Sequence, residues 1–138
     1  MQLRWNSETG LDITNRAQLD QALDALLAGP ATAQPLVAHL VGGAGALGLG
    51  LNPAGSGLLL FAPADRSRPA LHGVGHPPGE VEDLEYSVGG RLYEFSGRCR
   101  VPAHTVRAAA RRYLATGKLP RCVVWEPEPS QPPLHPQA

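Results

Sequence analysis

Residues 101–126 read V-P-A-H-T-V-R-A-A-A-R-R-Y-L-A-T-G-K-L-P-R-C-V-V-W-E, a run that holds a helix, its stop signal and a following strand. Val106, Ala109, Ala110, Tyr113 and Leu114 recur at helical spacing, so all five share one face of an α-helix. Pro102 pre-sets φ at the first turn, with Val101 ahead of it as a staple residue. Thr105, Arg107, Arg111 and Arg112 occupy the opposite face, and Gly117 follows Thr116 where a left-handed C-terminal cap is expected. Pro120 prevents a return to helix. Cys122, Val123, Val124 and Trp125 then have strand character, and helix and strand are expected to pack their apolar faces together, with Trp125 in the core.

Working back toward the N-terminus, Leu3 to Trp5 suits a first strand, and Thr14 or Asn15 suits the N-cap of a helix running to about Ala28. Leu19, Ala22, Leu23, Leu26 and Leu27 give that helix its apolar face, and Gly29-Pro30 ends it. Val37 to Val41, Ala46 to Leu51 and Leu58 to Phe61 read as three strands, the last two joined by a turn over Asn52 to Gly57. Residues 62–79 are rich in Pro, Gly and charge and read as a long surface loop, where partner contacts tend to gather. Glu82 to Val88 and Arg91 to Phe95 flank Gly89-Gly90, a dipeptide suited to a two-residue hairpin turn.

This order predicts an α+β fold, with an antiparallel or mixed sheet of about five to seven strands and two helices packed on one face. A chain of 138 residues is one ordinary domain, expected over residues 1–126, and residues 127–138 with five prolines form a disordered or extended tail. Residues 36–63 lack Asp, Glu, Lys and Arg, but seven glycines plus Asn52 and Pro53 favour strands and turns over a membrane span. The N-terminal ten residues lack the apolar core of a secretory signal, so a cytoplasmic location and no membrane partner are expected. Eleven arginines against the single Lys118 resemble the codon usage of a GC-rich genome, so a bacterial source is expected. Cys99 and Cys122 both fall in segments read as strand-like and are expected as buried reduced thiols, with a disulfide between them left open.

Several constellations of chemical interest fail on their surroundings. Gly43 to Gly48 matches G-x-G-x-x-G after a strand, yet the following Leu-Gly-Leu-Asn-Pro cannot form the helix that would meet a pyrophosphate. His72 and His76 lie four apart, but Pro77, Pro78 and nearby glycines deny them a common helix face, and spacing offers no third metal ligand. Ser56 in Ala-Gly-Ser-Gly lacks the first glycine of a nucleophile elbow. No catalytic group, metal or cofactor is therefore expected, and the protein is not expected to be an enzyme.

Charge distribution is more telling than net charge, which is zero. Residues 79–96 hold Glu80, Glu82, Asp83, Glu85 and Glu94 against Arg91, a balance of minus four, while residues 97–121 hold six arginines and Lys118 and no acid. The two blocks either neutralise one another across the fold or face different surroundings. In the second case the acidic hairpin, with Tyr86 and Tyr93, turns outward to a basic cleft on a partner.

Tyr86, Glu94, Phe95, Val101, Pro102, Val106, Ala109, Leu114, Gly117, Pro120, Val123 and Trp125 together form a pattern that resembles the C-terminal signature of immunity protein family one, small antidotes of bacterial polymorphic toxin systems. The resemblance implies a cytoplasmic protein that binds one cognate toxin domain, one to one, and covers its active site. It implies further that the toxin acts on nucleic acid, for example as a deaminase. Such toxins need basic clefts for phosphates, which makes Glu80, Glu82, Asp83, Glu85, Tyr86, Tyr93 and Glu94 the expected contact residues, with the 62–79 loop contributing shape. The alternative reading is a small regulatory or nucleic-acid-binding module using the arginine face of the second helix. Direct nucleic-acid binding is disfavoured because that face has no interleaved aromatic residues.

Overall fold

The computed structural model describes residues 1–6, 10–28, 35–77 and 79–128. Three antiparallel strands form its centre: β3 (Leu36–Gly42), β4 (Gly45–Leu51) and β5 (Ser56–Pro63). Each outer edge of this trio is shared by two short strands. Along β3, β1 (Gln2–Arg4) pairs with His39 to Val41, and β7 (Leu84–Val88) pairs in parallel with Leu36 and Val37. Along β5, β6 (Leu71–Val74) pairs with Leu60 and Phe61, and β9 (Val101–Pro102) pairs with Ser56 and Gly57. β2 (Gly10–Asp12), β8 (Arg91–Phe95) and β10 (Val124–Pro127) extend the sheet outside β1, β7 and β6.

The two described α-helices, α1 (Arg16–Ala28) and α2 (Ala103–Thr116), cover one face. Period-two alternation supplies that face: Leu36, Ala38 and Leu40 on β3, Leu47, Leu49 and Leu51 on β4, and Leu59 and Phe61 on β5 meet Leu19 and Leu23 of α1 and Val106, Ala110 and Tyr113 of α2. Asn15 caps α1 by accepting from the Gln18 N–H at 2.9 Å, and Gln18 Oε1 in return accepts from the Thr14 N–H at 2.8 Å. Gly117 ends α2 at φ +66°, its N–H donating to Tyr113 O.

The α+β class and the helices on one face are as the sequence predicts, but the sheet has ten strands among the described residues rather than five to seven. β6 lies inside the segment read as a loop. Its four residues carry little alternation of their own and are held by β10 along their full length. β2 and β9 are likewise short strands fixed by their neighbours. Neither cysteine lies in a strand: Cys99 is buried in a 3₁₀ turn over Gly97–Cys99, and Cys122 is exposed ahead of β10. Both are free thiols. Trp125 is half-buried on the main core, edge-on to Phe61, and its Nε1–H donates to Pro120 O at 2.6 Å. Pro127 closes β10 and the Glu128 N–H donates to Ala70 O, and the rest of the expected tail lies outside the described residues.

Candidate functional site

The β7–β8 hairpin turns through Gly89 and Gly90 at φ +59° and +86°, the pair of left-handed residues that a two-residue turn requires. Its register sorts the side chains. Leu84 opposite Phe95 and Tyr86 opposite Tyr93 lie on the inner face, whereas Glu85 opposite Glu94 lies on the outer one. The inner residues join Val37, Leu58 and Cys99 in a second core on the sheet face that the helices leave uncovered. Tyr86 is 1% exposed and meets Phe95 edge-on at 6.3 Å, so it props the hairpin and does not face outward as expected. The cause is alternation: Leu84, Tyr86 and Val88 form one inward row, and Glu85 falls between. Burial raises the Tyr86 pKa, while Asn52, Arg100 and Ser56 act in the opposite sense. Tyr93 is half-buried at the hairpin's inner edge.

Glu80, Glu82, Glu85 and Glu94 are exposed. Asp83 is also exposed as a residue, yet its Oδ1 accepts from the Gly97 N–H at 3.2 Å, which pins the acidic loop to the 3₁₀ turn. Gly97 is needed there because any Cβ would collide with the carbonyls of Val81 and Glu82. Glu80 Oε1 lies 4.0 Å from His76 Nδ1. Glu82 and Glu85 have no ion-pair partner among the described residues. Like charges directly opposite in a ladder cost stability, so the Glu85–Glu94 pair is a local expense on an exposed edge, as functional surfaces often show.

Three arginines of the basic block are engaged away from these acids. Arg107 binds Asp24 and lies 3.6 Å from Asp20, and Arg111 reaches both Asp20 carboxylate oxygens at 3.1 and 3.2 Å. Arg98 Nη2 donates to Glu126 Oε2 at 2.8 Å. Arg107 and Arg111 are thus spent on α1 and the Arg98 side chain on β10, while Glu82 and Glu85 keep exposed charge without an ion-pair partner among the described residues.

The glycine-rich motif is the β3–β4 turn. It receives the C-terminal end of α2 and not the N-terminal end that a phosphate would need: Ala44 N–H donates to Gly117 O at 2.8 Å, and Tyr113 Oη accepts from Gly45 N–H at 2.9 Å while bonding the Gly42 carbonyl. His72 sits on β6 with its Nε2 3.8 Å from Glu126, and His76 is engaged elsewhere with Glu80. Burial lowers the His72 pKa, Glu126 partly offsetting it. Among the described residues no group of three His, Cys, Asp or Glu is placed to hold a metal ion. None of the described helices is long and apolar enough to cross a membrane.

Sequence reasoning missed a groove of about 500 Å³ beside the hairpin, on the sheet face away from the helices. Ala46, Gly48 and Ala62 leave its floor thin, Val88, Tyr93 and Phe95 of the hairpin line it, and His39 and Glu128 also border it. Burial lowers the His39 pKa and raises that of Glu128. The signal available in the sequence was β4 itself, where every second residue from Ala46 to Gly50 is Ala or Gly.

A sheet with two helices on one face, and an outward acidic hairpin beside a groove on the other, defines a small α+β protein. The sequence matches the family Immunity protein Imm1 over residues 7–127, and the chain belongs to that family. Membership implies an immunity protein of toxin systems, with a role in binding a cognate toxin protein. Comparison with curated proteins found no match.

Proposed function

We propose that this protein acts in the cytoplasm as the antidote to one toxin domain that works on nucleic acid, such as a deaminase. It binds the toxin one to one and lays the acidic hairpin over the cleft that holds the phosphate backbone. Glu80, Glu82, Glu85, Glu94 and Tyr93 make the contact, while Tyr86 and Asp83 hold the hairpin and its loop in place. The observation that carries this reading is the charge distribution. Arg107 and Arg111 of α2 are committed to Asp20 and Asp24, whereas Glu82 and Glu85 are exposed without ion-pair partners among the described residues. An acidic surface of this kind steers association with a basic cleft and denies it to substrate. The same commitment of Arg107 and Arg111 counts against a nucleic-acid-binding module on the α2 face.

Protection of the producing cell requires very little free toxin, so a Kd of about 1 nM or below is expected, on the order of 12 kcal/mol. The test is co-purification with the toxin domain encoded beside this gene, then calorimetry and stopped-flow mixing across a salt series. Glu82→Lys and Glu85→Lys together should slow association about tenfold at low salt and flatten its salt dependence. Association rates that ignore both substitutions would refute the hairpin as the steering surface.

A further inference from the structure

The groove next to the hairpin carries a more specific statement about the partner. Its floor lacks side-chain bulk at Gly48 and Ala62, and Leu60 and Tyr93 give it apolar walls. On the side away from the hairpin it is bounded by Pro69, Ala70 and Glu128. The Glu128 main chain is fixed there by its N–H bond to Ala70 O at 2.8 Å, yet its half-buried carboxylate has no hydrogen-bond or ion-pair partner among the described residues. A lone carboxylate in an apolar trough is an incomplete pair, because burial of a charge is unfavourable until an opposite charge joins it.

His39, which also lines the groove, does not complete that pair. Burial alone depresses its pKa, with no contribution from Glu128. The missing partner must combine an apolar stem for the trough with a cationic head for the carboxylate, which among side chains describes arginine and lysine. The groove is continuous with the hairpin, since Val88, Tyr93 and Phe95 line it while Glu85 and Glu94 occupy the hairpin's other face. A toxin with the basic surface proposed above carries side chains of that kind.

We propose that the groove receives an arginine or lysine side chain of the toxin, its stem lying against Leu60 and Tyr93 and its head bound to Glu128. This rests on the reading that the chain binds a toxin with a basic cleft. It adds a buried anchor to the exposed acids, and the two are separable kinetically. Exposed charges act on the association rate, whereas a desolvated pair acts on dissociation.

The experiment has two arms. In the first, n-butylguanidinium is titrated into the full-length protein and followed through the backbone amides of Gly48, Ala62 and Tyr93 by NMR, with n-butylurea as the uncharged control. Binding on the order of 1 mM is expected for a ligand of that size, with n-butylurea at least about tenfold weaker. Glu128→Gln, and Ala62→Phe, which fills the groove from an exposed position, should each weaken the guanidinium at least about tenfold while Glu82→Lys does not. Equal binding of the urea, or unchanged binding to Glu128→Gln, overturns the proposal.

In the second arm the toxin domain replaces the probe. Glu128→Gln and Ala62→Phe should each raise the dissociation rate at least about tenfold and leave the association rate within about twofold. A tight wild-type complex that both variants preserve overturns the groove assignment alone, whereas no complex with the wild-type protein overturns the immunity reading together with it. Stronger probe binding after removal of residues 129–138 would give the groove to the chain's own end, and probe-sensitive self-association would give it to a second copy. Either result overturns the assignment to the toxin.

Discussion

Tyr113→Phe isolates the contact that joins α2 to the centre of the sheet. The ring is fully buried and meets Phe61 edge-on at 6.0 Å, and phenylalanine keeps both the volume and that contact. Only the hydroxyl is lost, which accepts from Gly45 N–H at 2.9 Å and bonds the carbonyls of Gly42 and Gly45. One hydrogen bond of this kind contributes about 1 kcal/mol net, and leaving a buried group without its partner costs about 1–3 kcal/mol. The site is only partly buried, so water recovers some of the loss and about 1.5 kcal/mol is expected. With an unfolding entropy near 2.1 cal/mol/K per residue, that loss lowers Tm by about 5 °C for a chain of this length. Urea unfolding read by both tryptophan fluorescence and far-ultraviolet dichroism should show a lower midpoint with an unchanged m-value. A loss below about 0.5 kcal/mol would refute the anchoring role of the hydroxyl. Toxin association should not change, because Tyr113 faces the helix side of the sheet.

Glu85→Lys should stabilise the free protein by about 0.5 kcal/mol at low salt, because it replaces a like-charge pair with an attractive one opposite Glu94, and molar salt should erase the gain seen in urea melts. Gly43→Ala should cost about 2 kcal/mol or more by the same assay, since φ is +61° and the new Cβ would lie 2.5 Å from Gly117 O. His39 has its pKa lowered below the ordinary 6.5 by burial, so the unfolded chain takes up a proton that the folded chain refuses as pH falls below that value. The stability that His39 contributes is therefore present above pH 6.5 and lost progressively below it, and His39→Gln should reduce the fall in urea midpoint between pH 7.5 and 5.5. An unchanged fall would place the proton uptake elsewhere.

Legibility followed the range of the interaction. Helix α2, its glycine cap and the Gly89-Gly90 turn are set by residues a few positions apart, and each lies where its local signal puts it. β2, β6 and β9 are stretches of two to four residues whose strand geometry comes from partners distant in sequence, so no local pattern marks them. The acidic block was legible as composition, but its orientation needed the cross-strand register, which turns Tyr86 inward and Glu85 outward. The destination of the arginines was not legible either, because Asp20 and Asp24 lie more than eighty residues from Arg107 and Arg111 in the sequence. Glu128 entered the groove by the same route: β10 pairs with β6, and that pairing carries Glu128 to the open face.

The two faces of the sheet divide the work. The larger core lies entirely on the helix side and includes the Tyr113 anchor, the α1–α2 ion pairs lying across the helices above it. The hairpin is tied to the central sheet through only two paired residues of β3 and holds its place by the small core around Tyr86 and Phe95. Its outward residues, Glu85 and Glu94, make no contribution to either core, so exchanging them changes what the hairpin attracts at a cost within about 1 kcal/mol. Exchanging Tyr86 removes packing that positions every outward residue at once. On the contact surface proposed above, specificity for an altered toxin can therefore change on the outer face of β7 and β8 while the inward row of Leu84, Tyr86 and Phe95 stays as it is.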